Sequence, residues 1–167
     1  IDPEVLARTI SRASLGSIKS INCIKGKLLV NGIEVDNLSD VIYDLETWAR
    51  VTGWRYDEEC QCWVKDDINT KIKFKRIHSS MFRVFGGYGD PEYGFLNVVD
   101  RVVVDVGAYV GDSAIYFALR DARRVIAIEP HLEAFKEMID NIKLNNLENR
   151  VIPVNAGLAS EPGNICI

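Results

Sequence analysis

Val102-Val103-Val104-Asp105-Val106-Gly107-Ala108-Tyr109-Val110-Gly111 is a valine run that ends in a carboxylate and two glycines. An unbroken β-branched run suits a buried strand, and a glycine-rich turn directly after it suits the entry to a helix. Downstream, Ala114, Ile115, Ala118 and Leu119 share one helical face in a stretch that reaches Arg120. VIAIEP (125–130), a helical pattern to about Asn145 and VIPVNA (151–156) follow. Short Val/Ile runs alternating with helices predict a parallel sheet, so residues 91–167 are expected to be an α/β unit.

Upstream, FGGYGDPEYG (85–94) carries four glycines and one proline, the composition of a loop, and sets a domain boundary near residue 90. Residues 1–90 are expected to form a small α+β region. Asp2-Pro3 opens a helix whose apolar positions are Val5, Leu6, Ile10 and Ala13, closed by Gly16. INCI, LLV and IEV read as antiparallel strands joined by turns at Lys25-Gly26-Lys27 and Asn31-Gly32. Leu38, Val41, Ile42, Leu45, Trp48 and Ala49 predict one helix behind Ser39 as N-cap. Alternation from Trp54 to Phe74 predicts an antiparallel meander, which ends by placing Lys71, Lys73 and Lys75 on one face.

The chain has 167 residues, 47% of them apolar and 26% charged, which is the composition of a folded protein. Twenty Lys plus Arg against 24 Asp plus Glu leave a net charge of −4, which argues against nucleic acid as a partner. No apolar run approaches the roughly 20 residues that cross a bilayer, and the first residues lack a secretory core. A cytoplasmic protein without a membrane partner is expected. Cys23, Cys60, Cys62 and Cys166 are expected to be structural thiols, because one residue between Cys60 and Cys62 does not match zinc-site spacing and no metal site is foreseen. Ile1 in place of Met leads us to expect lost residues at the start.

A dinucleotide site would need G-x-G-x-x-G, whereas Gly107 and Gly111 are spaced G-x-x-x-G and Asp105 would repel a pyrophosphate. No Gly-Lys-Ser/Thr follows, which excludes a P-loop. Asp105 suits a ligand with a cationic amino-acid end, and S-adenosylmethionine has an ammonium and a sulfonium but no phosphate. Glu129 lies 129 − 105 = 24 residues on, at the end of the second strand, where an acid can accept from both hydroxyls of a ribose. The competing reading is that Asp105 and Glu129 cap the helices that follow them.

VVVDVGAYVGDSAIYFAL, VIAIEP, NIKLNNLENRV and PVNAGL together resemble the class I S-adenosylmethionine-dependent methyltransferases, most closely the FkbM family, over residues 98–167. The resemblance implies a Rossmann-like methyltransferase fold that stops after its third strand. It places the cofactor on Asp105, Gly107, Ala108, Tyr109, Gly111 and Asp112, and its ribose on Glu129-Pro130. Asn155-Ala156 would lie by the adenine, with Asn155 where related enzymes carry an acid. Glu92 and Tyr93 would form a lid, and the acceptor would be an oxygen of a small molecule or glycan. It names no catalytic residue. His78 and His131 read as structural, and the lysine face as a solvated one.

Two other functions stay open. NIKLNNLENRVIPV also resembles tRNA guanine methyltransferases, with the N-terminal region as an RNA-binding module. The α/β unit could instead be a non-catalytic ligand- or partner-binding module. If Val102–Val106 lacks a neighbour on one side, a second copy of the chain or the 54–74 meander is expected to cover that edge.

Overall fold

The computed structural model describes residues 17–67, 70–87, 90–161 and 163. The chain divides into two compact units, one drawn from residues 1–72 and 76–94, the other from 73–75 and 95–167. The helix expected before Gly16 lies outside the described residues. No helix among the described residues is long and apolar enough to cross a membrane.

In the first unit, β1 (Ile21–Ile24), β2 (Lys27–Val30) and β3 (Ile33–Val35) form the expected antiparallel meander. Both turns have two residues of positive φ, Lys25-Gly26 at 52° and 78° and Asn31-Gly32 at 50° and 83°. That geometry matches the right-handed twist of paired strands. The expected single helix is two, α1 (Leu38–Tyr43) and α2 (Leu45–Val51). Asp44 divides them, because its carboxylate accepts from Thr47 N at 2.7 Å and its extended backbone starts a new helix. Asn37, not Ser39, caps α1, accepting from Asp40 N at 3.0 Å.

The second meander comprises β4 (Trp54–Asp57), β5 (Cys62–Asp66) and β6 (Lys71–Phe74), in that spatial order. Asp57 closes the first turn by accepting from Glu59 N and Cys60 N. Cys60 and Cys62 are joined by a disulfide across that turn, contrary to the expected free thiols. A short helix that sequence reading missed, α3 (Ser79–Val84), buries Met81, Phe82 and Val84. Six residues are too few to display a helical period. Trp48 meets Phe82 edge-on, and Trp54 meets Phe85 in the same way.

The second unit holds β7 (Val102–Val106), α4 (Asp112–Leu119), β8 (Arg124–Ile128), α5 (Leu132–Leu144) and β9 (Val151–Val154). The strands are parallel in the order β7-β8-β9, with Val104, Ile126 and Ile152 in register. The expected fold class is met: a small parallel sheet of Rossmann-like methyltransferase type after an α+β region. Right-handed crossovers that step twice in one direction put both helices on one face of the sheet. That face carries the buried Val125, Ala127 and Val151. On the other, Val102, Val104 and Val106 are 49%, 57% and 53% exposed, so the valine run is not buried on both sides as its composition suggests. Main chain at Lys73–Lys75 completes this unit. Asn145 accepts from Lys73 N at 2.9 Å and donates to Lys73 O at 2.7 Å, and Asn141 accepts from Lys75 N at 2.9 Å.

Candidate functional site

Parallel register sets Gly107, Glu129 and Asn155 side by side, each one residue beyond its strand. This is the carboxyl edge of the sheet, where open α/β folds hold ligands. The β7–α4 loop is pinned to β8 by Gly107 N and Ala108 N, which both donate to Ile128 O, at 2.9 and 3.0 Å. Glu129 N in turn donates to Val154 O at 3.0 Å.

Gly107 has φ 77°, and a Cβ built on it meets nothing within 4 Å. The space in front of the loop is therefore open, as a cradle for a ligand requires. Gly111 differs. With φ 86° it precedes α4, and a Cβ there would lie 2.9 Å from Met138 Cγ, so this glycine lets α4 and α5 pack together. Tyr109 also takes positive φ, at 49°, and Ala108 is fully buried.

Asp105 is half-buried on β7 and accepts from the Ser113 hydroxyl at 2.7 Å. Burial pushes its carboxyl above the usual carboxylate range; the Ser113 hydrogen bond opposes that and the Asp112 charge adds to it. Asp112 opens α4, is 4% exposed, and accepts from Ser113 N at 2.9 Å. Glu129, 6% exposed, has both oxygens engaged: Oε2 accepts from Tyr109 N and Oε1 from His131 N, each at 2.8 Å. It thus ties the glycine loop to the start of α5. Asn155 Nδ2 donates to the carbonyls of Glu129 and Pro130, at 2.8 and 3.2 Å, and Ala156 N to Val154 O.

Gly107, Ala108, Tyr109, Gly111, Glu129, Pro130, Asn155 and Ala156 fall on the loops of this one sheet edge, while Asp105 is the last residue but one of β7 and Asp112 the first of α4. Glu92 and Tyr93 belong to the first unit, in a turn where Glu92 N donates to Arg83 O. His131 caps α5 and His78 caps α3. Sequence reading missed Ser113 and Asn141. Asn141 is fully buried and donates to Val110 O at 2.9 Å, holding the far end of the glycine loop. Its signal was a polar residue on the apolar face of a helix. No cluster of metal ligands occurs among the described residues.

Residues 95–161 match the family model of the TRM5/TYW2 methyltransferase domain. This stretch is a methyltransferase-type domain. The match overturns the resemblance to the FkbM family, and the small-molecule or glycan acceptor inherited from that resemblance falls with it. The motifs that carried the resemblance, D-x-G-A-x-x-G and E-P, read as cofactor motifs, and such motifs do not specify an acceptor. The argument from net charge against nucleic acid falls too, because a sum over the whole chain averages away local basic patches.

Among solved structures, the Pyrococcus horikoshii TYW2 in complex with MeSAdo is 24% identical, with 96% of this chain and 66% of that one covered and a TM-score of 0.44. The M. jannaschii tRNA m1G37 methyltransferase is also 24% identical, with 57% of this chain and 30% of that one covered and a TM-score of 0.40. The Methanocaldococcus jannaschii Trm5 in complex with adenosine is 19% identical over 89% of this chain and 51% of that one, with a TM-score of 0.41. The chain spans less than two thirds of the length of each. No match was found among curated proteins.

Proposed function

We propose that this chain takes part in methyl transfer from S-adenosylmethionine to tRNA, acting in the cytoplasm. The observation that carries the reading is the match of residues 95–161 to the TRM5/TYW2 methyltransferase domain, laid over a sheet edge suited to the cofactor. Gly107 leaves room for a ligand against the backbone, and Asp105 offers a carboxylate to an ammonium group. Glu129 fixes the loop between them through Tyr109 N and presents its carboxylate beside the place of the ribose. Asn155 holds the ends of β8 and β9 together where the adenine would lie.

When bound, the cofactor supplies the electrophilic methyl group. The part of this chain is to hold and orient it, since alignment in line with an acceptor supplies much of the rate in such a transfer. Titration calorimetry of the folded chain should show S-adenosylhomocysteine binding and no response to NAD. Filter binding should show an unmodified tRNA transcript retained. A folded chain that ignores S-adenosylhomocysteine overturns the cofactor site, and one that binds S-adenosylhomocysteine but no transcript overturns the tRNA substrate.

A further inference from the structure

The first unit contains a cavity of about 720 Å³, lined by residues that the cofactor site does not use. Its walls include Lys19, Ser20, Thr52, Gly53, Lys65 and Asp90. The two lysines converge there for reasons that can be traced. Lys65 stands opposite Trp54 in the β4/β5 register, and its ammonium lies 5.8 Å from the centre of the Trp54 ring while donating to Thr52 O at 2.7 Å. Gly53, at the same wall, takes φ 93°, a backbone conformation that side chains rarely adopt, in the turn between α2 and β4. Lys19 and Ser20 are set by Asn31, whose Oδ1 accepts from both of their backbone N–H groups, at 2.7 and 3.2 Å. The amide of Asn31 also donates to Ser17 O and Val51 O. One side chain in a tight turn therefore ties the β1 approach to the end of α2, at the cavity wall.

A partly buried ammonium beside a second lysine is an unfavourable arrangement by itself. Burial holds the Lys65 ammonium below the usual lysine range, Asp67 opposes that effect and Lys19 adds to it. Lys65 Nζ is held by a carbonyl and faces a ring, and Asp67 attracts it more than Lys19 repels it. An anion seated in the cavity would add to the attraction that Asp67 already supplies and offset the burial of the ammonium. Lys19 and Lys65 on the walls offer two cationic donors to one phosphate oxyanion, against Asp90 on the same wall and Asp67 near Lys65.

We infer that this cavity is a phosphate subsite for the backbone of RNA, with Lys65 and Lys19 as its cationic partners. The inference rests on the tRNA reading above and adds where the first unit touches the nucleic acid. The shared chemistry is a phosphate oxyanion, and a mononucleotide is the other source to be separated.

The test measures affinity of the full chain for an unmodified tRNA transcript and for adenosine monophosphate over a range of salt. Lys65→Gln and Lys19→Gln should each weaken the transcript by about tenfold near physiological salt and lower the slope of log K against log salt by about 0.7 to 0.9. Lys65→Arg should stay within about threefold of wild type, because it keeps the charge that carries the term. Asp90→Asn should bind the transcript more tightly than wild type, a gain that misfolding cannot produce. Unchanged S-adenosylhomocysteine affinity in each variant reports the second unit independently. A wild-type chain that binds the transcript while both glutamine variants match it overturns the subsite and leaves the tRNA reading standing. Lysine-dependent binding of the mononucleotide, tighter than that of the transcript, overturns the phosphodiester assignment. A wild-type chain that binds S-adenosylhomocysteine but no transcript overturns the RNA reading and this inference together.

Discussion

Asp105 and Glu129 both sit at the carboxyl edge, yet their surroundings give them different work. Asp105 is pushed above the usual carboxylate range by burial, so the folded chain keeps its proton to higher pH than the unfolded chain does. Between the ordinary carboxylate pKa and the raised one the native state binds more protons, and stability falls as pH rises through that window. Asp105→Asn cannot ionise. Its apo form should melt higher than wild type at neutral pH, and the advantage should shrink as pH drops to the ordinary carboxylate range. Cofactor binding should respond in the opposite sense, tightening in wild type as pH rises through the same window and weakening by about 1.5 to 3 kcal/mol in the variant. Melting curves and calorimetry across pH decide both; a variant that melts below wild type at neutral pH would contradict the burial argument. Glu129 instead accepts two backbone N–H groups, from Tyr109 and His131. Glu129→Ala leaves both without that acceptor, so it should lower apo stability by about 1 to 3 kcal/mol as well as weaken S-adenosylhomocysteine. Weaker binding with an unchanged melt would return Glu129 to a ribose contact alone.

At the scale of elements, the alternation of β7, β8 and β9 with α4 and α5 was legible because Val/Ile runs and a 3.6-residue period coexist there. The candidate cofactor positions were legible for a related reason, since glycines and acids at strand ends follow from backbone geometry. What stayed hidden were effects that need a partner. Asp44 breaks a helix because its carboxylate finds Thr47 N, α3 is too short to show a period, and Asn141 works through the distant Val110. The exposed side of β7 was hidden too, because one-sided helix placement belongs to the order of strands and not to the valines. This gives a paired prediction. Val104→Thr, on the exposed face, should change stability by less than about 0.5 kcal/mol, whereas Val125→Ala, fully buried under the helices, should cost about 2 kcal/mol. Denaturant titration of both variants checks it, and equal losses would mean that the β7 face is covered in solution.

For the whole molecule, the division into two units has a thermodynamic consequence. Trp54 is 2% exposed in the first unit, packed with Phe85 and lying under the Lys65 ammonium. Ile115 and Met138 are fully buried in the second. Trp54→Ala should destabilise the first unit by about 3 to 5 kcal/mol. Every residue proposed to hold the cofactor lies between 105 and 156, and substitutions at separate sites combine additively. The variant should therefore bind S-adenosylhomocysteine within about threefold of wild type. Ligand at 100 times its Kd stabilises whatever unfolds with its site by about 2.7 kcal/mol. A calorimetric scan of Trp54→Ala should thus show two transitions, of which only the later one climbs with added S-adenosylhomocysteine. One transition that climbs as a whole would mean that the units unfold as a single cooperative body, and Trp54 would then influence the cofactor site through global stability.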